Sequence, residues 1–107
     1  MLFGDSERCT MYARVMTSAK QISNPEESDK IMRELVFPAL AGMKGFKGFY
    51  LLIEPVTGKG IQIDLWETES DAKAAETNGT MQDAISKLLP LLPEPPTMEL
   101  FQVVAQV

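Results

Sequence analysis

The chain has 107 residues, enough for one domain, and 45% of them are hydrophobic. Its formal net charge is −5, and its ten lysines and arginines are scattered. They form no basic face of the kind that binds nucleic acid or an anionic membrane. The sequence contains no histidine, which removes the commonest metal ligand and the commonest general base.

The single cysteine, Cys9, cannot form an internal disulfide, which favours a reducing compartment. No hydrophobic run approaches the length of a membrane span, and no signal-peptide pattern follows Met1. We therefore expect a cytoplasmic protein. The acidic residues lack metal-loop spacing and the glycines form no phosphate loop, so we expect no bound metal or cofactor.

The first predicted strand spans residues 10–18, where alternation places Tyr12 and Arg14 on one face. A helix follows, because Asn24 is a good N-cap and the apolar residues after it recur at helical spacing. Pro38 lies inside this helical pattern. It cannot donate a backbone hydrogen bond, so we expect a kink there.

Two further strands are predicted at residues 47–54 and 59–68, joined by a short loop that contains Gly58. In the second of these strands, three aliphatic residues alternate with polar and aromatic ones. This alternation places Asp64 and Trp66 together on one face of the strand.

The C-terminal part of the chain reads as two helices and a strand. Thr68 is the expected cap of the first helix, which ends near Asn78. Thr80 is the expected start of the second, which Pro90 closes. The last strand is predicted over residues 97–107.

The resulting order of elements is β-α-β-β-α-β, which predicts a ferredoxin-like α+β domain with a four-stranded antiparallel sheet over residues 10–107. Residues 1–9 are predicted to form an N-terminal tail. Both faces of the strands are apolar: Phe49 and Leu51 lie on one face of the second strand, and Tyr50 lies on the other. Because helices cover only one face, we expect a homodimer that forms through the second face.

Five segments carry a family resemblance, namely residues 11–15, 36–40, 45–48, 58–60 and 65–69. They resemble the dimeric α+β barrel superfamily and, within it, the antibiotic biosynthesis monooxygenase-like proteins. The resemblance implies the fold and the pairing of two chains. The superfamily includes cofactor-free quinone-forming monooxygenases, haem-degrading enzymes and isomerases, so the resemblance leaves the activity open.

The haem-degrading relatives carry an asparagine in the first strand, and a tryptophan and a histidine on the second helix. Here the strand position falls near Ala13, and the chain has no histidine. Haem degradation by that mechanism is therefore disfavoured.

The cofactor-free monooxygenases imply a pocket between sheet and helices, with polar and aromatic groups that bind a phenolic substrate. The candidate substrate-binding residues are Tyr12, Arg14, Tyr50, Asp64 and Trp66. Arg14 and Asp64 are expected to be cross-strand neighbours. They form either an anion-binding pair or a structural ion pair at the dimer interface, and Trp66 is expected to belong to the core.

Two functions remain open from the sequence. The first is a cofactor-independent monooxygenase-like enzyme that acts on a small aromatic molecule. The second is a non-catalytic small-molecule-binding or regulatory dimer of the same fold. No catalytic residue is assigned, and the sequence does not decide between enzyme and binding protein.

Overall fold

The computed structural model describes residues 10–18 and 24–107, so the predicted tail at residues 1–9, with Cys9, lies outside the described residues. The four strands are β1 (Tyr12–Ser18), β2 (Phe46–Ile53), β3 (Gly60–Trp66) and β4 (Thr97–Gln102). The helices are α1 (Pro25–Ile31), α2 (Phe37–Ala41), α3 (Glu69–Glu76) and α4 (Gly79–Leu88). A π-helical turn (Met32–Val36) joins α1 to α2, and a 3-10 turn (Leu89–Leu91) follows α4. In the described ranges, no helix is both long enough and apolar enough to span a bilayer.

The strands form one antiparallel sheet in the order β2-β3-β1-β4. This arrangement confirms the predicted ferredoxin-like α+β fold. The last strand is shorter than predicted, because residues 103–107 lie outside it. Its partner β1 begins at Tyr12, and just before it the Met11 carbonyl accepts a 2.9 Å hydrogen bond from the backbone N–H of Val103.

Side-chain caps define the helix starts. Asn24 and Thr68 cap α1 and α3, as predicted. The predicted start of the last helix at Thr80 is wrong, because Asn78 is its cap: Asn78 Oδ1 accepts a 3.0 Å hydrogen bond from the backbone N–H of Met81. Asn78 therefore separates α3 from α4 while it begins the second of them.

The first helical region is distorted next to its proline. The π-helical turn Met32–Val36 lies directly before α2, in which Pro38 is near the first position. Pro38 has no N–H to donate toward Glu34, and a widened turn accommodates the missing hydrogen bond. The kink predicted from the sequence thus takes the form of a wide turn on the N-terminal side of the proline.

The core lies between the helices and one face of the sheet. Trp66 and Leu40 are its most deeply buried large side chains, and the rings of Phe46 and Trp66 meet edge to face at 5.6 Å. Ala72 and Ala75 are also buried in this cluster. Their small side chains allow α3 to lie close to the sheet.

The other face of the sheet is mainly apolar, with the charged Glu99 on its β4 edge, and has no covering element among the described residues. Tyr50 and Leu52 of β2 and Phe101 of β4 share this face by register, and each is about half exposed, at 58%, 48% and 47%. Ile61 and Ile63 of β3 lie between them. We call this surface the open sheet face.

We predict that Gly45→Ala destabilises the fold by about 2 kcal/mol, because a side chain there must adopt an unfavourable backbone conformation. Gly45 has φ +80°, and a Cβ atom at this position would collide with the Asp71 side chain. Urea unfolding measures the effect. Gly79→Ala is the matched control, since a Cβ atom there meets nothing within 4 Å. Equal stability of the two variants would contradict the prediction.

Candidate functional site

An ion pair lies at the centre of the helix-covered side of the sheet. Arg14 of β1 and Asp64 of β3 are direct cross-strand partners, as predicted, and Arg14 Nη1 donates a 3.0 Å hydrogen bond to Asp64 Oδ2. Each residue is only 9% exposed. The pair lies beneath α3 and α4 and not on the open sheet face. The interpretation of this pair as part of a sheet-face dimer interface is therefore wrong.

The guanidinium of Arg14 has two further protein partners. Its Nη2 donates to the backbone carbonyl of Ala72 and lies 3.4 Å from Oε1 of Glu76, both on α3. Its Nε is buried and has no hydrogen-bond partner in the part of the chain that the structure describes. A buried donor without a partner is costly, so a small movement of the Arg14 side chain that lets this N–H meet a ligand oxygen would be favourable.

Trp66 also donates a hydrogen bond to the Asp64 carboxylate. Its indole Nε1–H donates to Asp64 Oδ2, the same oxygen that Arg14 engages, which leaves Oδ1 engaged by neither of them. Burial raises the pKa of Asp64 above its ordinary value of 3.8. The Trp66 hydrogen bond and the Arg14 charge oppose this rise without cancelling it. Asp64 is thus a carboxyl group that exchanges its proton at higher pH than an ordinary aspartate.

A cavity of about 270 Å³ lies against this cluster, between the sheet and the helices. Arg14, Asp64 and Glu76 form its polar end. Its apolar walls include Met32, Val36, Leu40, Phe49, Met81 and Leu88. A dry apolar cavity of about 150 Å³ is enough to bind benzene, so this one accommodates an aromatic ring.

A second cavity of about 300 Å³ adjoins the first and leads toward the β2–β3 hairpin. Met16, Met32 and Gln62 line both cavities, so these three residues lie at the junction between them. Methionine side chains adapt to the shape of a bound molecule, so the junction between the two cavities is deformable.

The structure brings together three of the five predicted site residues, namely Arg14, Asp64 and Trp66. Tyr12 lies next to Trp66 in the register and packs against the core, outside the lining of the cavity. Tyr50 lies on the open sheet face, away from the cavity, because its position in β2 has the opposite parity to Phe49.

Glu76 is an ionisable residue of the cavity lining that the sequence analysis did not select as a candidate. It follows Ala72 by four residues on α3, so the two residues share one face of the helix. This four-residue spacing was the feature of the sequence that could have indicated Glu76. Only the packing of α3 on β1 shows that this face meets Arg14. Within the described ranges, no group of three or more cysteine, aspartate or glutamate side chains is arranged to hold a metal ion.

No family model and no curated protein match this chain. Solved structures do. A candidate antibiotic biosynthesis monooxygenase from Caulobacter crescentus CB15 matches with a TM-score of 0.77 and 17% identity, over 94% of this chain and 97% of that one. A point variant of SnoaB, a cofactor-independent oxygenase from Streptomyces nogalater, matches with a TM-score of 0.78 and 16% identity, over 92% and 97%. A candidate antibiotic biosynthesis monooxygenase from Bordetella bronchiseptica matches with 0.74 and 15%, over 90% and 99%.

These similarities establish the fold. The chain has the fold of the antibiotic biosynthesis monooxygenase-like proteins, which confirms the structural resemblance seen in the sequence. At this level of identity the site residues of one protein do not transfer to another. The function of the cavity depends on its own side chains.

We predict a specific pH dependence for Asp64→Asn. Because burial raises the pKa of Asp64, the folded protein holds this proton more tightly than the unfolded chain does. The stabilisation from Asp64 is complete below the ordinary value of 3.8 and is lost as the pH rises through the folded-state pKa. The wild-type unfolding free energy minus that of Asp64→Asn should therefore decrease from about pH 3 to about pH 7.

Urea unfolding at a series of pH values measures this difference. The control is Asp83→Asn, which removes an exposed carboxylate on α4 that pairs with Lys87. A difference that grows with pH at position 64 would show that the Arg14 charge outweighs burial.

Proposed function

We propose that this protein is a cofactor-independent, monooxygenase-like enzyme that acts on a small hydroxylated aromatic molecule. The observation that carries the proposal is the cavity itself, which has apolar walls and, at one end, the buried Asp64 carboxyl and Arg14, whose Nε–H has no partner among the described residues. The fold shared with SnoaB, a cofactor-independent oxygenase, supports the reaction class.

In this proposal, the side chains at and next to the polar end have different roles in the reaction. Arg14 Nε–H donates to an oxygen of the ring and stabilises the negative charge that develops there. Asp64 accepts the proton that the substrate loses, since its raised pKa makes it a better base than an ordinary aspartate. Trp66 is a positioning residue that keeps the carboxylate oriented.

The ionised aromatic ring then supplies electrons to O₂. In a quinone-forming oxidation, a ring CH₂ group becomes C=O: one oxygen atom of O₂ enters the product and the other leaves as water with the two hydrogens. The apolar walls, including Phe49 and Met81, hold the ring flat against the sheet and exclude water.

The second candidate function is a non-catalytic binding dimer. It is favoured by the three protein acceptors that surround the Arg14 guanidinium, because such a group forms a rigid floor for a ligand without performing chemistry. The absence of histidine from the sequence also supports it.

We predict that Arg14→Lys weakens binding of 1,8-dihydroxyanthrone about tenfold or more, the expected effect of losing a hydrogen bond from a charged group. Lysine keeps a positive charge near Asp64 but lacks the Nε–H fork. Quenching of the single tryptophan, Trp66, reports binding, and an oxygen electrode reports turnover above spontaneous oxidation. Arg33→Lys, at an exposed arginine paired with Asp29, is the control.

The two candidate functions give different results. Oxygen consumption that depends on Arg14 supports the enzyme. Saturable binding without oxygen consumption above the protein-free rate supports the binding protein. If Arg14→Lys is folded by circular dichroism and its binding is unchanged, the cavity beside Arg14 is not the ligand site for either candidate function.

We also propose that a second copy of the chain covers the open sheet face. This surface presents the half-exposed Tyr50, Leu52 and Phe101, a contiguous apolar area of the kind that marks an interface. When two copies pair through this surface, each covers the open sheet face of the other.

Leu52→Glu is therefore expected to convert a dimer to a monomer at micromolar concentration, because it places a charge in the apolar face. Light scattering coupled to gel filtration measures the mass. Val56→Glu is the control, since Val56 is 90% exposed in the hairpin turn. A wild-type protein that is monomeric under the same conditions would contradict the proposal.

A further inference from the structure

The polar end of the cavity contains one positive and two negative side chains. Arg14 lies 3.0 Å from the carboxylate of Asp64 and 3.4 Å from that of Glu76. Of the described residues that line this cavity, no others are ionisable. With both carboxylates ionised, the guanidinium is over-neutralised, so the cavity end carries a net negative charge.

Glu76 and Asp64 occupy different positions around the guanidinium. Asp64 is buried at the sheet, whereas Glu76 is the last residue of α3 and its side chain is 49% exposed. The backbone carbonyl of Glu76 accepts a 2.9 Å hydrogen bond from Nε2 of Gln82 on α4, which fixes the place where α3 ends. The Glu76 carboxylate thus lies between solvent and Arg14, at the entrance to the polar end.

This arrangement of charges favours the binding of neutral ligands over anionic ones. A hydroxyl or amide group can accept from Arg14 Nε–H and donate to a carboxylate, which satisfies both sides. A carboxylate ligand has no proton to donate, and it meets two like charges in a partly desolvated site. The buried Nε–H alone does not offset that repulsion.

We propose that Glu76 determines the charge specificity of the cavity: it adds a second negative charge beside Arg14, which Asp64 already neutralises, so that the site accepts uncharged aromatic molecules and rejects aromatic carboxylates of the same size. This inference rests on the ligand site of the proposed function and not on its oxygen chemistry. It also specifies the substrate class as neutral hydroxyaromatic or carbonyl compounds that lose a proton only after they bind.

The test uses 2-naphthamide and 2-naphthoate, which have nearly the same shape and differ in charge at neutral pH. Wild-type protein is expected to bind the amide about tenfold more tightly than the carboxylate, because solvent screens the like-charge contact with the half-exposed Glu76. Glu76→Gln is expected to tighten naphthoate binding about tenfold while naphthamide binding stays within about threefold. Glu69→Gln, on the same helix and paired with Lys73, is the matched control.

Calorimetry or Trp66 fluorescence gives the dissociation constants, and Glu76→Ala serves as a second variant that must shift the preference in the same direction. A preference that is the same in wild type, Glu76→Gln and Glu69→Gln would overturn the role of Glu76 and leave the ligand site intact. Failure of both compounds to bind any of these proteins would overturn the site together with the inference. Neither outcome depends on oxygen consumption.

Discussion

A guanidinium buried between a sheet and a helix is the constraint on which this structure depends. Arg14 can be buried only because Asp64 lies directly opposite it in the sheet and the carbonyl of Ala72 accepts from above. A buried charge without such partners would cost several kcal/mol, on the order of the penalty for breaking a buried ion pair. Any change in the β1–β3 register or in the position of α3 would separate these groups. The same contacts that stabilise the fold therefore also build the polar end of the cavity.

The cavity depends on how the helices are made. The π-helical turn before α2 contributes Met32 and Val36 to its wall, and Ala75 of α3 contributes a small side chain. Wide turns of this kind often occur at functional sites. The distortion near Pro38 thus has two effects: it accommodates the proline, and it contributes residues to the cavity wall. A regular helix with larger residues on α3 would have filled the space beside Arg14.

The two faces of the sheet have different tasks. One face, covered by helices, holds the ion pair and the cavity, and the other is the open sheet face, which we propose is covered by a second copy. The solved structures named above share the fold of the chain at 15% to 17% identity. At that distance a shared fold does not carry over the side chains of the cavity. The charge balance around Arg14 is therefore a property of this chain.

The sequence by itself determined the order of the elements, the caps at Asn24 and Thr68, and the pairing of Arg14 with Asp64. The caps follow from local hydrogen bonding, the strands from their twofold alternation, and the cross-strand pair from the ferredoxin-like order of the elements. Alternation divides a strand into two faces without showing which of them the helices cover. Only the tertiary structure placed the ion pair beneath the helices and Tyr50 on the open sheet face. It also brought Glu76 to Arg14, because contacts between residues so far apart in the chain exist only after the layers have packed.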